Sequence, residues 1–182
     1  MGDIKRKGYG QVEPNHLSAQ KTGQIYAQLP AITGSGDSAA AITQIEQGQF
    51  LKYDYENNRA TYDAEVEGEW LLAYAEEKLY DERKQNHKDF VLKASDFSDG
   101  YIYPRLLKTN VGDIYTTNTF GANTSDSAEV VGLTLEVGNK LYVQAGTGFL
   151  GTTSNQDSPV FKVVKVYTMP DGQPGVKIQR IK

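Results

Sequence analysis

The chain has 182 residues, a length typical of one domain, and it contains no cysteine, which excludes disulfides, thiolate metal sites and cysteine nucleophiles. Its formal net charge is -4 and its isoelectric point is about 5.2, so it lacks the positive charge that attracts phosphate backbones, and we expect no nucleic-acid partner. No apolar run approaches the ~20 residues that cross a bilayer, so we expect no membrane segment.

The N-terminal residues 1–23 differ in composition from the rest of the chain. They are polar, and Gly8, Gly10 and Gly23 interrupt any periodicity. The pattern predicts an extended arm with no core of its own, which is either disordered or lies across a neighbouring subunit. We place the domain boundary after residue 23, with a β-rich domain over 24–182 whose core spans 45–182.

Short strands and turns are predicted after the arm. Residues 24–29 favour a short strand, and the alanine-rich 39–42 favours the start of a short helix. Two β-prone runs, 50–55 and 60–66, flank an Asn-rich tip, which predicts a hairpin. The charged residues 76–100 predict a long loop with one or two helical turns.

The C-terminal half has a clearer strand-and-turn pattern. Strands are predicted over 102–107, 111–118, 130–135 and 140–145. The β-branched run 160–167 and the alternating run 176–181 flank a turn rich in Pro and Gly, so we expect them to pair as a hairpin. The fold class that follows is all-β, a small β-barrel or sandwich with at most a few helical turns.

Few residue patterns point to chemistry. Gly146, Gly148 and Gly151 match a dinucleotide-binding pattern, but turn-forming residues follow where such a site needs a helix, so we predict a tight turn. The two histidines, His16 and His87, lack the spacing of a catalytic triad or a zinc site. We therefore expect no enzyme, no catalytic residue, no cofactor and no metal.

Three acidic residues are the candidates for carboxylate chemistry. Glu65, Glu67 and Glu69 alternate, which predicts one face of a strand. Crowded carboxylates are used by glycosidases, but an exposed strand edge also uses such charges to block aggregation, and we favour the edge interpretation.

Aromatic residues favour a role in protein contacts. The chain has 12 Tyr and one Trp, and tyrosines are typical of sheets and of protein interfaces. The candidate partner-contacting residues lie in the arm and beside a turn: Tyr9, Val12, Pro14, His16, Leu17, Tyr101 and Tyr103.

Three segments together carry a resemblance to a known group of proteins. They are 12–20 with 23–27, then 111–118, then the turn at 170–174. In these segments the chain resembles the small head proteins of tailed phages that decorate or cement the capsid. The resemblance carries no site residues with it, because such proteins act through surfaces.

The resemblance implies a structural virion protein, made in the host cytoplasm, that binds the outer capsid surface and whose partner is the major capsid protein. We also expect a homo-oligomer, either a dimer or a trimer. The alternative that stays open is a carbohydrate- or receptor-binding β module of a virion or cell surface, with exposed Tyr or Trp70 as its stacking platform.

Overall fold

The chain folds into antiparallel β-sheets joined by turns, as seen in a computed structural model that describes residues 8–17, 29–74, 91–121, 133–169 and 172–182. The helical segments in these ranges are two single turns of 3-10 helix, Gly36–Ser38 and Ala94–Asp96. The predicted all-β class, with at most a few helical turns, is confirmed.

Fourteen strands are formed by the described residues. The N-terminal strands are β1 Val12–His16, β2 Ile32–Thr33, β3 Ala40–Ala41, β4 Gln44–Glu46, β5 Phe50–Asp54, β6 Arg59–Thr61, β7 Leu71–Ala73 and β8 Val91–Lys93. The C-terminal strands are β9 Leu106–Leu107, β10 Ile114–Thr117, β11 Lys140–Val143, β12 Leu150–Gly151, β13 Val160–Thr168 and β14 Pro174–Arg180.

The largest sheet has six strands in the order β1-β10-β14-β13-β11-β12, and all of its pairs are antiparallel. A parallel bridge between Phe120 and Leu150, with Gly121 N–H donating to Leu150 O at 2.9 Å, connects the β12 edge to the residues that follow β10. The sheet therefore curls around its own core without forming a closed barrel.

A second sheet, in the order β6-β5-β7-β9, lies between two hydrophobic cores. Phe50 and its cross-strand partner Leu72 belong to the core of the six-stranded sheet, whereas Leu51 and its partner Leu71 belong to the other core. Successive side chains of a strand point to opposite faces, so β5 is buried along its whole length. Because both faces of β5 are buried, apolar and polar residues alternate only imperfectly over 50–55 in the sequence.

The two predicted hairpins are confirmed. β5 and β6 pair around a turn in which Asn58 has a φ of 51°, a left-handed conformation that Asn tolerates well. β13 and β14 pair over most of their length, with an irregularity in register between Val163 and Lys165.

Two sequence-based expectations were wrong. Ala40–Ala41 forms strand β3 and not a helix, because its backbone pairs with β2, and this tertiary pairing outweighs the helix propensity of alanine. Residues 62–70 form no strand, so Glu65, Glu67 and Glu69 do not share a strand face.

The described part of the predicted N-terminal arm is extended, but it lies on this chain's own sheet. β1 pairs with β10, and Leu17 is buried in the core with 2% of its surface exposed. The prediction of an arm without core contacts does not hold for 8–17, because β1 pairs with a strand that lies more than 90 residues away, beyond the reach of local sequence patterns. The boundary after residue 23, the region 75–90 and all but Leu29 of the strand expected over 24–29 lie outside the described residues.

Candidate protein-interaction surface

The described parts of the segments that carry the resemblance, residues 12–17, 111–118 and 172–174, lie next to one another in the fold. Val12 of β1 pairs with Thr117 of β10, and Thr117 pairs in turn with Val176 of β14. The turn that precedes β14 contributes Gln173, whose Oε1 accepts hydrogen bonds from Gly8 N–H at 3.0 Å and from Asn118 Nδ2 at 3.3 Å. Three stretches that are far apart in the sequence therefore form adjacent strands of one surface.

Buried side chains hold the N-terminal segment by its main chain. Gly10 N–H donates to Glu46 Oε2 at 2.6 Å, and Gln11 N–H donates to Asn118 Oδ1 at 2.6 Å. Glu46 is 2% exposed and Asn118 is fully buried. A hydrogen bond to a charged acceptor contributes about 1.5–3 kcal/mol, and a buried acceptor left without a donor is costly, so these contacts favour a docked segment.

Glycines allow the N-terminal segment to approach the body closely. A Cβ on Gly10 would lie 2.3 Å from Thr119 Oγ1 and 2.6 Å from Gln47 O. Gly48, with a φ of +88°, faces the segment from the other side, since a Cβ there would lie 2.8 Å from Val12 Cγ2. We call residues 8–17 together with these facing residues the N-terminal seam.

The five arm candidates differ in their placement within the seam. Val12 packs against the main core and Leu17 is part of it, so the Leu17 side chain stabilises this chain and is not exposed to a partner. Pro14 pairs with Tyr115 in an edge strand, where the missing N–H of proline is tolerated. His16 pairs with Ile114, after a register shift. Tyr9 is half-buried, and Lys93 Nζ lies 5.9 Å from the centroid of its ring.

The two tyrosines outside the arm lie in a surface loop that follows the second 3-10 turn. Tyr101 is 38% exposed, and the Tyr103 ring packs edge-on against Phe97 with centroids 6.5 Å apart. Asp99 accepts from Tyr101 N–H at 3.1 Å and from Tyr103 OH at 2.8 Å. These hydrogen bonds lower the pKa of Asp99, and the bond to Asp99 raises the pKa of Tyr103.

One arm candidate, Tyr9, contacts the end of β8. The Lys93 ammonium lies over the Tyr9 ring, and a cation within about 6 Å of an aromatic centroid is attracted to the ring face. From Lys93 the chain continues through the 3-10 turn Ala94–Asp96 towards the loop that contains Tyr101 and Tyr103.

Sequence patterns did not reveal a buried ion-pair cluster next to the second core. Arg59 Nε donates to Asp54 at 2.8 Å, and Arg59 Nη1 contacts Asp63 at 3.2 Å and also donates to Gly34 O. Asp63 in turn accepts from Thr33 Oγ1 at 2.7 Å. The cluster ties the loop before the first 3-10 turn to the β5–β6 hairpin. Its one signal in the sequence is that Asp54 and Arg59 flank the hairpin tip.

A lysine is also buried in this region. Lys52 is 3% exposed; its Nζ lies 4.5 Å from the centroid of the Trp70 ring and donates to Val66 O. Burial lowers the pKa of Lys52, although the nearby carboxylates Asp157, Asp63 and Glu65 oppose this effect. Its contacts are with backbone oxygens and an aromatic ring of the same chain. They stabilise the 62–70 segment.

The glycine pattern at 146–151 forms the tight turn predicted from the sequence. Gly146 and Gly148 both have positive φ, and the chain continues directly into β12. Gly148 O accepts from Phe50 N–H at 2.8 Å, which joins the turn to the central strand β5.

One small cavity lies beside β4 and the end of β7. It measures about 10 Å³ and is lined by Glu46, Tyr74 and Arg105, which is room for a single water molecule. Among the described residues, no three His, Asp or Glu side chains cluster as ligands of one metal ion. No helix in these ranges has the length and apolar character needed to span a bilayer.

Comparison with protein-family models gives no match to this chain, and no curated protein or solved structure matches it. The fold and the surface define an all-β protein whose candidate contact residues lie on β1 and on the loop at 97–103.

Proposed function

We propose that this chain is a structural protein of a tailed-phage particle that binds the outer surface of the capsid and does not act as an enzyme. The observation that carries the proposal is the convergence of the three resembling segments on β1, β10 and β14. These are neighbouring strands of the six-stranded sheet, with β1 at its edge. In this proposal the chain binds the major capsid protein and is located in the virion.

The shape and chemistry of the surface are suited to protein contact. An antiparallel sheet over a packed core supplies a rigid support, and Tyr101 is an exposed aromatic residue whose backbone N–H donates to the Asp99 carboxylate. Tyrosine is enriched in protein interfaces because its ring packs while its hydroxyl hydrogen-bonds. Many copies on one shell bind with avidity, so each contact needs only modest affinity.

The first test locates the protein. Antibodies raised against the purified chain are used for immunogold electron microscopy of phage particles from cells that carry its gene. We expect gold on the capsid surface. Labelling confined to tails, or protein found only in the particle-free lysate, would contradict the proposal.

The second test addresses the contact residues on capsids from phage deleted for the gene. Tyr101→Ala is expected to weaken capsid binding about tenfold or more, as removal of an aromatic anchor does in other interfaces. Tyr55→Ala is the matched control, because Tyr55 is an exposed tyrosine (67%) that packs on Tyr53 and belongs to the β5–β6 turn, not to this loop. Equal binding by both variants would show that Tyr101 is not part of the interface.

One observation favours the alternative of a carbohydrate-binding module. Tyr101 is exposed, and the Asp99 carboxylate that accepts from its backbone N–H also accepts from the Tyr103 hydroxyl. Sugars bind by stacking on aromatic rings while hydrogen-bonding to such polar groups. A glycan array probed with the wild-type chain and with Tyr101→Ala distinguishes the two functions. Glycan binding that the substitution abolishes would favour this alternative over capsid binding.

A further inference from the structure

Four lysines lie together on the outer face of the six-stranded sheet. Lys140 of β11 is the direct cross-strand partner of Lys162 in β13, and Lys165 of β13 is the direct partner of Lys177 in β14. Three of these side chains are exposed and Lys177 is half-buried. Residues next to them in the strands, such as Leu141, pack in the main core, so the lysines lie on the opposite side of the sheet.

This arrangement places like charges opposite each other. The Cβ atoms of direct cross-strand partners are only about 4.5–5.5 Å apart, and like charges at such positions are destabilising. In the part of the chain that the structure describes, no carboxylate forms an ion pair with any of the four lysines. Glu13 lies in the same row as Lys177, but β10 separates their two strands. A bound polyanion would therefore relieve a repulsion that the sheet itself leaves uncompensated.

Two tyrosines lie on the same face as the lysines. Tyr142 stands two residues after Lys140 in β11, and Tyr167 stands two residues after Lys165 in β13, so strand alternation places both on this side. Both tyrosines are half-buried, and Lys165 Nζ lies 6.0 Å from the centroid of the Tyr167 ring. We call the four lysines and these two tyrosines the lysine face.

The lysine face combines the two kinds of contact that a single strand of nucleic acid makes. Lysines hold backbone phosphates as point charges, and aromatic rings stack on unpaired bases. Sheets that bind RNA use aromatic residues of their surface strands in this way. A protein partner is less favoured, because lysine is depleted in protein interfaces whereas arginine is enriched, and the lysine face contains no arginine.

The acidic net charge, from which we expected no nucleic-acid partner, acts only weakly at this face. Net charge is a sum over the whole chain and does not record where the charges lie. At an ionic strength of ~0.1 M the Debye length is about 10 Å, so more distant acidic side chains are largely screened from an anion bound here. The local cluster of lysines therefore decides the interaction.

We propose that the lysine face binds single-stranded nucleic acid without sequence preference. The phosphates of the strand contact the four lysines, and its bases stack on Tyr142 and Tyr167. Each neutralised phosphate releases counterions from the strand, which makes the affinity depend on salt. The inference goes beyond capsid binding and does not depend on it.

A salt titration with the purified full-length chain is the first test. Fluorescence anisotropy follows a labelled oligothymidylate of about 20 nucleotides, which is longer than a typical site for one small domain. The logarithm of the association constant should fall with the logarithm of the salt concentration with a slope of about −3, because each phosphate contact of a single strand contributes about −0.7. Absence of binding at ~50 mM salt, where ionic contacts are weakly screened, would overturn the proposal.

Two double variants with the same loss of charge locate the site. Lys162→Gln/Lys165→Gln should weaken binding about twentyfold and make the slope shallower by about 1.4, because two phosphate contacts are lost. Lys93→Gln/Lys108→Gln is the matched control, because Lys93 belongs to β8 and Lys108 follows β9, both outside the six-stranded sheet. The control should leave the slope unchanged. Equal effects of the two variants would show that binding follows net charge and not the lysine face.

Thermal unfolding distinguishes lost binding from lost folding. Lys162→Gln/Lys165→Gln removes like-charge repulsion across two strand pairs, so this variant should be at least as stable as the wild type. Weak binding by a stable variant then reports on the contact itself.

The bases distinguish nucleic acid from other polyanions. Tyr167→Leu should weaken binding about fivefold or more with an unchanged salt slope, because it removes stacking and no charge. Unlabelled oligothymidylate should displace the probe at a far lower concentration of charge than polyglutamate or alginate does. Equal competition by polyglutamate would assign the face to acidic proteins, and equal competition by alginate would assign it to acidic polysaccharides. Either result, or an unchanged affinity of Tyr167→Leu, would overturn the proposal and leave the capsid-labelling result unaffected.

Discussion

Gly148 shows how a single residue joins two parts of this fold. It has a φ of +70°, and a Cβ at this position would lie 2.2 Å from Phe50 O. Its own amide donates to Gln144 O at 2.8 Å, and its carbonyl accepts from Phe50 N–H at 2.8 Å. The residue therefore combines a left-handed backbone with a close approach to β5, and both requirements favour glycine.

The comparison of Gly148→Ala with Gly146→Ala separates these two requirements. Gly146 has a φ of +82°, but a Cβ at this position would meet no atom within 4 Å, so its substitution should cost only the backbone strain of about 1 kcal/mol. Gly148→Ala should cost about 2 kcal/mol more, because the added methyl displaces the backbone of β5. Urea unfolding of both variants measures the difference. Equal losses in the free energy of unfolding would show that the backbone around Phe50 can shift to accommodate the added methyl group.

Strand β1 shows, at the scale of an element, the limit of local patterns. Residues 1–23 have the composition of an arm, yet 8–17 contribute an edge strand and a core side chain. Nothing in residues 8–17 by themselves encodes the positions of Glu46 and Asn118, because those acceptors come from segments distant in sequence. The hairpins, in contrast, were predictable since their strands are joined by short turns with characteristic residues.

Leu17→Ala tests whether β1 is part of the stable fold. Leu17 is 2% exposed within the main core, so the substitution should lower the free energy of unfolding by about 2–5 kcal/mol. Val111→Ala is the control, because Val111 is 68% exposed and its truncation should be nearly neutral. Both are measured by thermal and urea unfolding. If Leu17→Ala were also neutral, the segment would be undocked in solution.

At the scale of the whole molecule, two cores share the β5 and β7 strands, and the Arg59 cluster lies beside the second core. Burial by itself would raise the pKa of Asp54, but the hydrogen bonds from Arg59 and Asn57 outweigh it and hold the pKa of Asp54 below its ordinary value. A pKa lowered by folding stabilises the native state above the unfolded-state pKa. This stabilisation is lost as pH falls through the folded-state pKa.

Asp54→Asn should therefore have a pH-dependent effect on global stability. At neutral pH it should cost about 2 kcal/mol, since it removes a charged hydrogen-bond partner of Arg59. The difference from wild type should shrink as pH falls below about 3.9, the ordinary pKa of an aspartate, because Asp54 of the unfolded chain is protonated there, and it should vanish once the pH falls below the lowered pKa of folded Asp54. Urea unfolding midpoints measured from pH 7 to pH 3 give the stability difference at neutral pH and its change with pH. Asp37→Asn, at an exposed position in the first 3-10 turn, controls for general charge effects, and a constant difference for Asp54→Asn would contradict the mechanism.

The candidate surface was predictable in part. Aromatic residues beside a turn suit surface contact, and the structure places Tyr101 and Tyr103 together with Asp99 in an exposed loop. The arm candidates form one group in the sequence, yet Leu17 is buried while Tyr9 contacts Lys93. Exposure depends on what packs against a residue, which composition does not record.

The all-β class, the two hairpins and the glycine turn follow from the amino-acid sequence because period-two patterns and turn residues act over a few neighbours. The docking of residues 8–17, the shared strands between two cores and the Arg59 cluster became visible only in the folded chain. Each depends on contacts between segments distant in sequence, such as Gly8 with Gln173, and the free energy of those contacts is decided by packing and burial in three dimensions.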